Sequence, residues 1–117
     1  MSTVYVVQNA HRRDMATGAL VPVHDLTPAL RYGELRYLLP PGPVLLSTEH
    51  AVKALKQQLA EFTPDDYLLC IGDPSAIALV SMVASTVTAG RVKLLVWDKP
   101  SKAYIPVPID LFPNRWP

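Results

Sequence analysis

A single cysteine, Cys70, is all the sequence contains, so no disulfide can close within the chain and a cystine-stapled scaffold is excluded. Charge of either sign is in no excess. Lysine and arginine total 11 against 10 acidic residues, and no net field draws in a phosphate backbone or an anionic membrane. No run reaches the roughly 18 apolar residues of a spanning helix, because Asp73 and Pro74 interrupt the longest candidate. The opening MSTVYVVQNAHRRD lacks the basic segment and apolar core of a secretory signal. Together with the unpaired cysteine, these absences predict a soluble protein of the cytoplasm. The glycine-rich patterns of nucleotide sites are missing, as is the G-x-S-x-G elbow of hydrolases. His11, His24 and His50 lie far apart, with no metal-ligand spacing among them. No catalytic residue, metal or cofactor is expected.

What the chain does have is apolar side chains and proline. Half of its 117 residues are hydrophobic, enough for the core of one domain spanning residues 1–117. Its 12 prolines fix φ and remove N–H donors, so they mark turns, first helical positions and edge strands. The segment TVYVVQN (3–9) has the β-branched and aromatic content of a strand, and LVPVHD (20–25) is placed beside it as a returning edge strand. Thr27 as cap, Pro28 at the first helical position and Gly33 as a stop predict one or two helical turns. ELRYLL (34–39) reads as a half-buried strand and PVLLS (43–47) as a short apolar one.

A helix is predicted over about 48–62, where Val52, Leu55, Leu59 and Phe62 share one face and Lys53, Lys56, Gln57 and Glu61 fall mostly on the other. YLLCIG (67–72) is continuously apolar, as strands covered on both faces are. Asp73 then serves as N-cap and Pro74 as the first residue of a second helix, running to about Ala89 and closed by Gly90. This helix carries no charge. Either the first helix and the carboxy-terminal segment cover it, or part of it meets a second subunit through Leu79, Met82 and Val83. RVKLLVWD (91–98) and AYIPVPI (103–109) form a strand and an edge partner, since Pro106 and Pro108 forbid a central ladder position. The alternation strand, helix, strand, helix, strand gives an α/β fold, Rossmann-like in the loose sense, of two or three layers with antiparallel strands added at both ends.

In such sheets ligands bind beyond the carboxyl ends of the parallel strands. That rule selects Ser47 and Thr48, the corner Gly72, Asp73 and Ser75, and the turn at Asp98. At the corner, helix amides are a potential anion site, but the Asp73 carboxylate would occupy them and Pro74 removes a donor. A structural cap is the favoured reading over a nucleotide site. Cys70, mid-strand in an apolar run, reads as a small buried hydrophobe rather than a thiolate. Arg12, Arg13, Arg31 and Arg36, if brought together, would make a modest cationic surface for nucleic acid, with Tyr32 placed to stack on a base. Scattered charges on solvated turns are the competing reading, so nucleic-acid binding is not favoured.

Taken in order, VYVVQ, YGELRYLL, DDYLLCIGDPSAI, GRVKLLVWD and YIPVPIDL resemble a set of small, largely uncharacterised proteins encoded by bacterial viruses and prophages. The resemblance carries no catalytic residues with it. It implies a phage accessory protein in the infected cell's cytoplasm that acts by binding, to itself as a homodimer or to a host or replication partner. The alternatives are a small Rossmann-like nucleotide binder or enzyme, and a weak nucleic-acid binder using the basic loops.

Overall fold

A computed structural model describes residues 2–9, 11–41 and 48–115. Its frame is a five-stranded sheet built from β1 (Thr3–Gln8), β4 (Glu34–Leu39), β5 (Tyr67–Leu69), β6 (Arg91–Asp98) and β7 (Ala103–Asp110), in the order β4-β1-β5-β6-β7. The first four are parallel and β7 is antiparallel to β6. A separate ribbon pairs β2 (His11–Arg13) with β3 (Leu20–Pro22). The protein is thus of mixed α/β type around a mostly parallel sheet.

β1 is a central strand, and Val4, Tyr5, Val6 and Val7 are all buried. Four consecutive apolar residues supply both faces of the sheet, the pattern of a strand covered on each side. This corrects the expectation that residues 20–25 return beside it. The β3 strand pairs with β2 instead, and it stops at Pro22. The predicted strand over 43–47 lies outside the described residues.

Helix α1 (Thr48–Gln58) and helix α2 (Pro74–Val87) lie together on one face. There Leu55, Leu59 and Phe62 from the α1 segment, and Ala76, Val80 and Val83 from α2, close over Tyr5, Val7 and Leu68. Helix α1 ends earlier than its apolar spacing predicts. After Leu59 N–H donates to Leu55 O at 2.8 Å, the chain tightens into shorter turns, Ala60 to Gln57 O and Phe62 to Leu59 O. Leu59 and Phe62 remain buried even so, because the turns keep pointing them at the sheet.

The opposite face is covered by less. A 3₁₀ helix, Thr27–Tyr32, and the preceding Leu26 pack Leu26 and Ala29 onto Val4, Val6, Leu69, Leu95 and Tyr104. Gly33 stops this turn as expected, but Thr27 is its first residue and not its cap. Leu26 holds the cap position without a side-chain bond, and the Thr27 N–H goes to Asp25 Oδ1 at 3.0 Å. Tyr32 reaches across to donate its hydroxyl to Tyr104 O at 2.8 Å.

The β6–β7 hairpin sets which groups face outward. The Leu95 carbonyl accepts from the Cys70 N–H, so odd-numbered residues of β6 address β5 and even-numbered ones address β7. Their partners on β7 are Ile109, Val107 and Ile105. Pro106 and Pro108 therefore point their missing donors away from the sheet, at no cost to the ladder.

Candidate functional site

The Gly72-Asp73 corner is fastened from several directions. Asp73 caps α2, its Oδ2 accepting the Ala76 N–H at 3.3 Å, and Pro74 is the first helical residue. The Asp73 N–H donates to Gln8 Oε1 at 2.7 Å, and Gln8 Nε2 donates to Pro40 O at 2.8 Å. One glutamine side chain thereby ties the ends of β1, β4 and β5 together. Gly72, at φ +116°, lies so close that a Cβ there would come within 2.5 Å of Gln8 Oε1. The corner's groups are committed to the fold, with little left to hold an anion.

The other residues selected from the strand ends do not gather around it. Ser47 is outside the described residues, Thr48 is exposed at the start of α1, and Ser75 is exposed in the first turn of α2. Asp98 closes the β6–β7 turn by accepting from both the Ser101 hydroxyl and its N–H. Those bonds, the hydroxyl's first, hold its carboxyl below the usual carboxylate range. Cys70 is partly buried, and burial pushes its thiol up, the opposite of an activated nucleophile. Its alkylation by iodoacetamide at pH 8 is expected to be slower than that of free cysteine, read by mass spectrometry of the folded protein. Among the described residues no group of three or more His, Cys, Asp or Glu is placed to hold a metal ion.

Two adjoining clefts open on the thinly covered face. The first, of about 520 Å³, is lined by Asn9 from the end of β1, the 22–27 segment, Leu30, and Leu35 and Tyr37 of β4. The second, of about 350 Å³, is lined by Ile71 beyond β5, Trp97 of β6, Tyr104 of β7 and Pro28. Val23, His24 and Asp25 border both. The clefts therefore meet beneath one exposed loop, at the carboxyl ends of three neighbouring strands. β1 connects onward to β4 on one side and β5 leads to β6 on the other, which makes their junction a switch in strand order.

The clefts differ in chemistry. Trp97 and Tyr104 are cross-strand partners with ring centroids 5.0 Å apart in an edge-on arrangement, and they form an aromatic wall with the indole 41% exposed. In the other cleft Asn9 is only 8% exposed, and its Oδ1 has no hydrogen-bond partner among the described residues. Asp25 bonds the Thr27 hydroxyl and N–H, which hold its carboxyl below the ordinary range. Burial, and then the Asp25 charge, raise the Tyr104 phenol. Among the described residues neither cleft has a lysine or arginine in its wall. Asn9 went unremarked in the sequence, although it is the first polar residue after Gln8 at the end of an apolar strand. Reading VYVV as central would have put it under the strand-end rule.

The four arginines are not all on one side. Arg36 shares the helix-covered face of β4 with Leu38 and hydrogen-bonds Tyr5, which packs there. Arg31 belongs to the 3₁₀ helix on the other face, its guanidinium 5.3 Å from the Tyr32 ring centre. Arg12 and Arg13 are exposed on the ribbon, with Arg13 donating to Gly18 O.

The charge-free helix is covered on one side only. Val83, 5% exposed, belongs to the core, and Leu79 packs partly against it, whereas Met82 is 68% exposed. Beside Met82 runs the helix side of the hairpin, pairing Val92 with Ile109, Leu94 with Val107 and Val96 with Ile105. Helix α2 rests on β1 and β6. Beyond it Ile105, Val107, Ile109, Val96 and Leu111 stay substantially exposed. An apolar hollow of about 210 Å³ separates Met82 from Leu94 and Ile109.

A protein-family model described as Phage Pam3 gp32-like protein matches residues 2–111. The chain belongs to that family. No curated protein and no solved structure matches it. Among the described residues no helix is long and apolar enough to cross a membrane.

Proposed function

We propose that this phage accessory protein works by binding in the cytoplasm of the infected cell, and that the face formed by α2 and the β6–β7 hairpin binds a second copy of the chain. The observation that carries the proposal is the exposed, uncharged surface of Met82, Val96, Ile105, Val107 and Ile109. A two-fold interface sets a patch against itself, so charge at its middle would repel. Here the charges stand at the hairpin's ends, with Arg91 opposite Asp110 at one and Asp98 near Lys99 and Lys102 at the other. Lys93 turns its ammonium to the other face, 4.4 Å from the Tyr67 ring centre. The middle is left neutral and suited to self-pairing.

Sedimentation velocity tests this at micromolar concentration, comparing the parent with Met82→Glu combined with Val107→Glu. Both positions are exposed, so circular dichroism should find the fold intact. The parent is expected to sediment as a dimer and the double variant as a monomer, with self-affinity down about 100-fold or more, as for two hot-spot side chains lost. A parent that stays monomeric, or a double variant that still dimerises, overturns the proposal. A parent monomer that instead binds a host protein through the same face is such an overturning result.

A further inference from the structure

We infer that the paired clefts beneath Val23-His24-Asp25 bind a small uncharged nucleoside, a flat nitrogen heterocycle joined to a hydroxyl-bearing sugar and free of phosphate. This inference does not depend on self-association.

The first support is the orphaned oxygen. Asn9 is more than nine-tenths buried in the wall of the larger cleft, and its Oδ1 lacks a donor among the described residues. A buried acceptor left unpaired is costly, and native structures satisfy nearly all of them. The oxygen is sealed from the cleft as it stands, so an O–H or N–H lodged there completes the site once the Asn9 amide turns toward it. The second support is the wall of the other lobe, where a half-exposed indole and a buried phenol present flat apolar surface to a ring.

Spacing and charge narrow the class. Asn9, Ile71 and Trp97 end or follow three successive strands, and two inter-strand steps span about 10 Å, the length of a base with its sugar. The two volumes, about 520 and 350 Å³, are of the size of small-molecule sites. The Asp25 carboxylate borders both lobes, and no lysine or arginine lines either among the described residues, so a phosphate would meet a like charge with only the His24 imidazole beside it. The base belongs against Trp97 and Tyr104, with a sugar hydroxyl donating to Asn9 Oδ1.

The test is an NMR titration of the full chain with adenosine and cytidine, and with adenosine monophosphate as the charged arm, following the Trp97 indole N–H and the Asn9 side-chain amide. At least one nucleoside is expected to shift both resonances saturably, with the monophosphate bound about tenfold more weakly. Asn9→Leu removes the unpaired oxygen. It should weaken nucleoside binding about tenfold or more while holding or raising the melting temperature, since no acceptor is then left stranded. If that variant fails to fold, Trp97→Ala, at a half-exposed position, carries the test with the same expected loss. No saturable shift with either nucleoside, binding unchanged by the substitutions, or the monophosphate bound as well as the nucleoside would each overturn the inference. So would a buried water on Asn9 with no nucleoside response.

Discussion

Gly33→Ala is expected to lower stability by about 3 kcal/mol or more and the melting temperature by about 10 °C or more. A Cβ at Gly33 would sit 2.1 Å from the Ser2 carbonyl oxygen and 2.8 Å from its carbon, and neither backbone atom can rotate away as a side chain can. The residue also holds φ +149°, which L side chains rarely adopt. It stands just before β4, whose first pair is Glu34 with Thr3, so relief of the clash means moving β4 off β1. Urea unfolding gives the loss, and hydrogen exchange at Leu35 and Tyr37 should accelerate first. Gly18→Ala is the internal control. Gly18 is at φ +73° with nothing within 4 Å of its added Cβ, so backbone strain acts alone and the cost should be about 1 kcal/mol. Equal effects at the two sites would refute the steric argument.

Asp66→Ala should cost about as much, near 3 kcal/mol, for a different reason. This carboxylate is 6% exposed. It accepts the Thr3 N–H at 2.8 Å through Oδ1, and the Thr63 N–H at 2.9 Å and hydroxyl at 3.1 Å through Oδ2. It therefore fastens the start of β1 to the turn that leads from α1 into β5. Alanine strands two backbone donors in a part-buried place, each worth about 1–3 kcal/mol. Asp66→Asn should recover about half, because the amide keeps one acceptor oxygen and turns a donor toward the other N–H. Calorimetry of the two variants checks the order, and an alanine variant as stable as the parent would exclude Asp66 as a fastening point.

Much of the second half of the fold was legible because each local signal agreed with the next. Asp73, Pro74 and the apolar run behind them specified cap, first turn and helix, and Pro106 with Pro108 specified an edge strand. The first half was less so. The β1 strand has the same unbroken apolar run as YLLCI, but the sequence places residues 20–25 beside it as a returning edge strand, and strand order is a non-local property that no local pattern encodes. The role of Asp66 was hidden for a related reason, since Thr3 is 63 residues away from it. Gln8 was equally silent, because a glutamine at a strand end looks solvated until Gly72 and Pro40 are brought to it. The clefts followed from these misses. With β1 at the centre of the sheet, Asn9 comes to the switch in strand order, and residues 23–25, read in the sequence as part of an edge strand, become the border of both lobes.

The outer rim of β7 also bears on aggregation at high concentration. A parallel sheet with an open edge invites another chain to extend its ladder, and repeated extension ends in fibres. Along this rim two successive outward amides are absent, at Pro106 and Pro108, and Tyr32 already occupies the carbonyl of Tyr104. A docking strand would find acceptors but a gap in donors. Strand addition at this rim is thus hindered while the flat of the hairpin stays open. Open-ended polymers built on this rim are thereby disfavoured, whatever surface the flat of the hairpin meets.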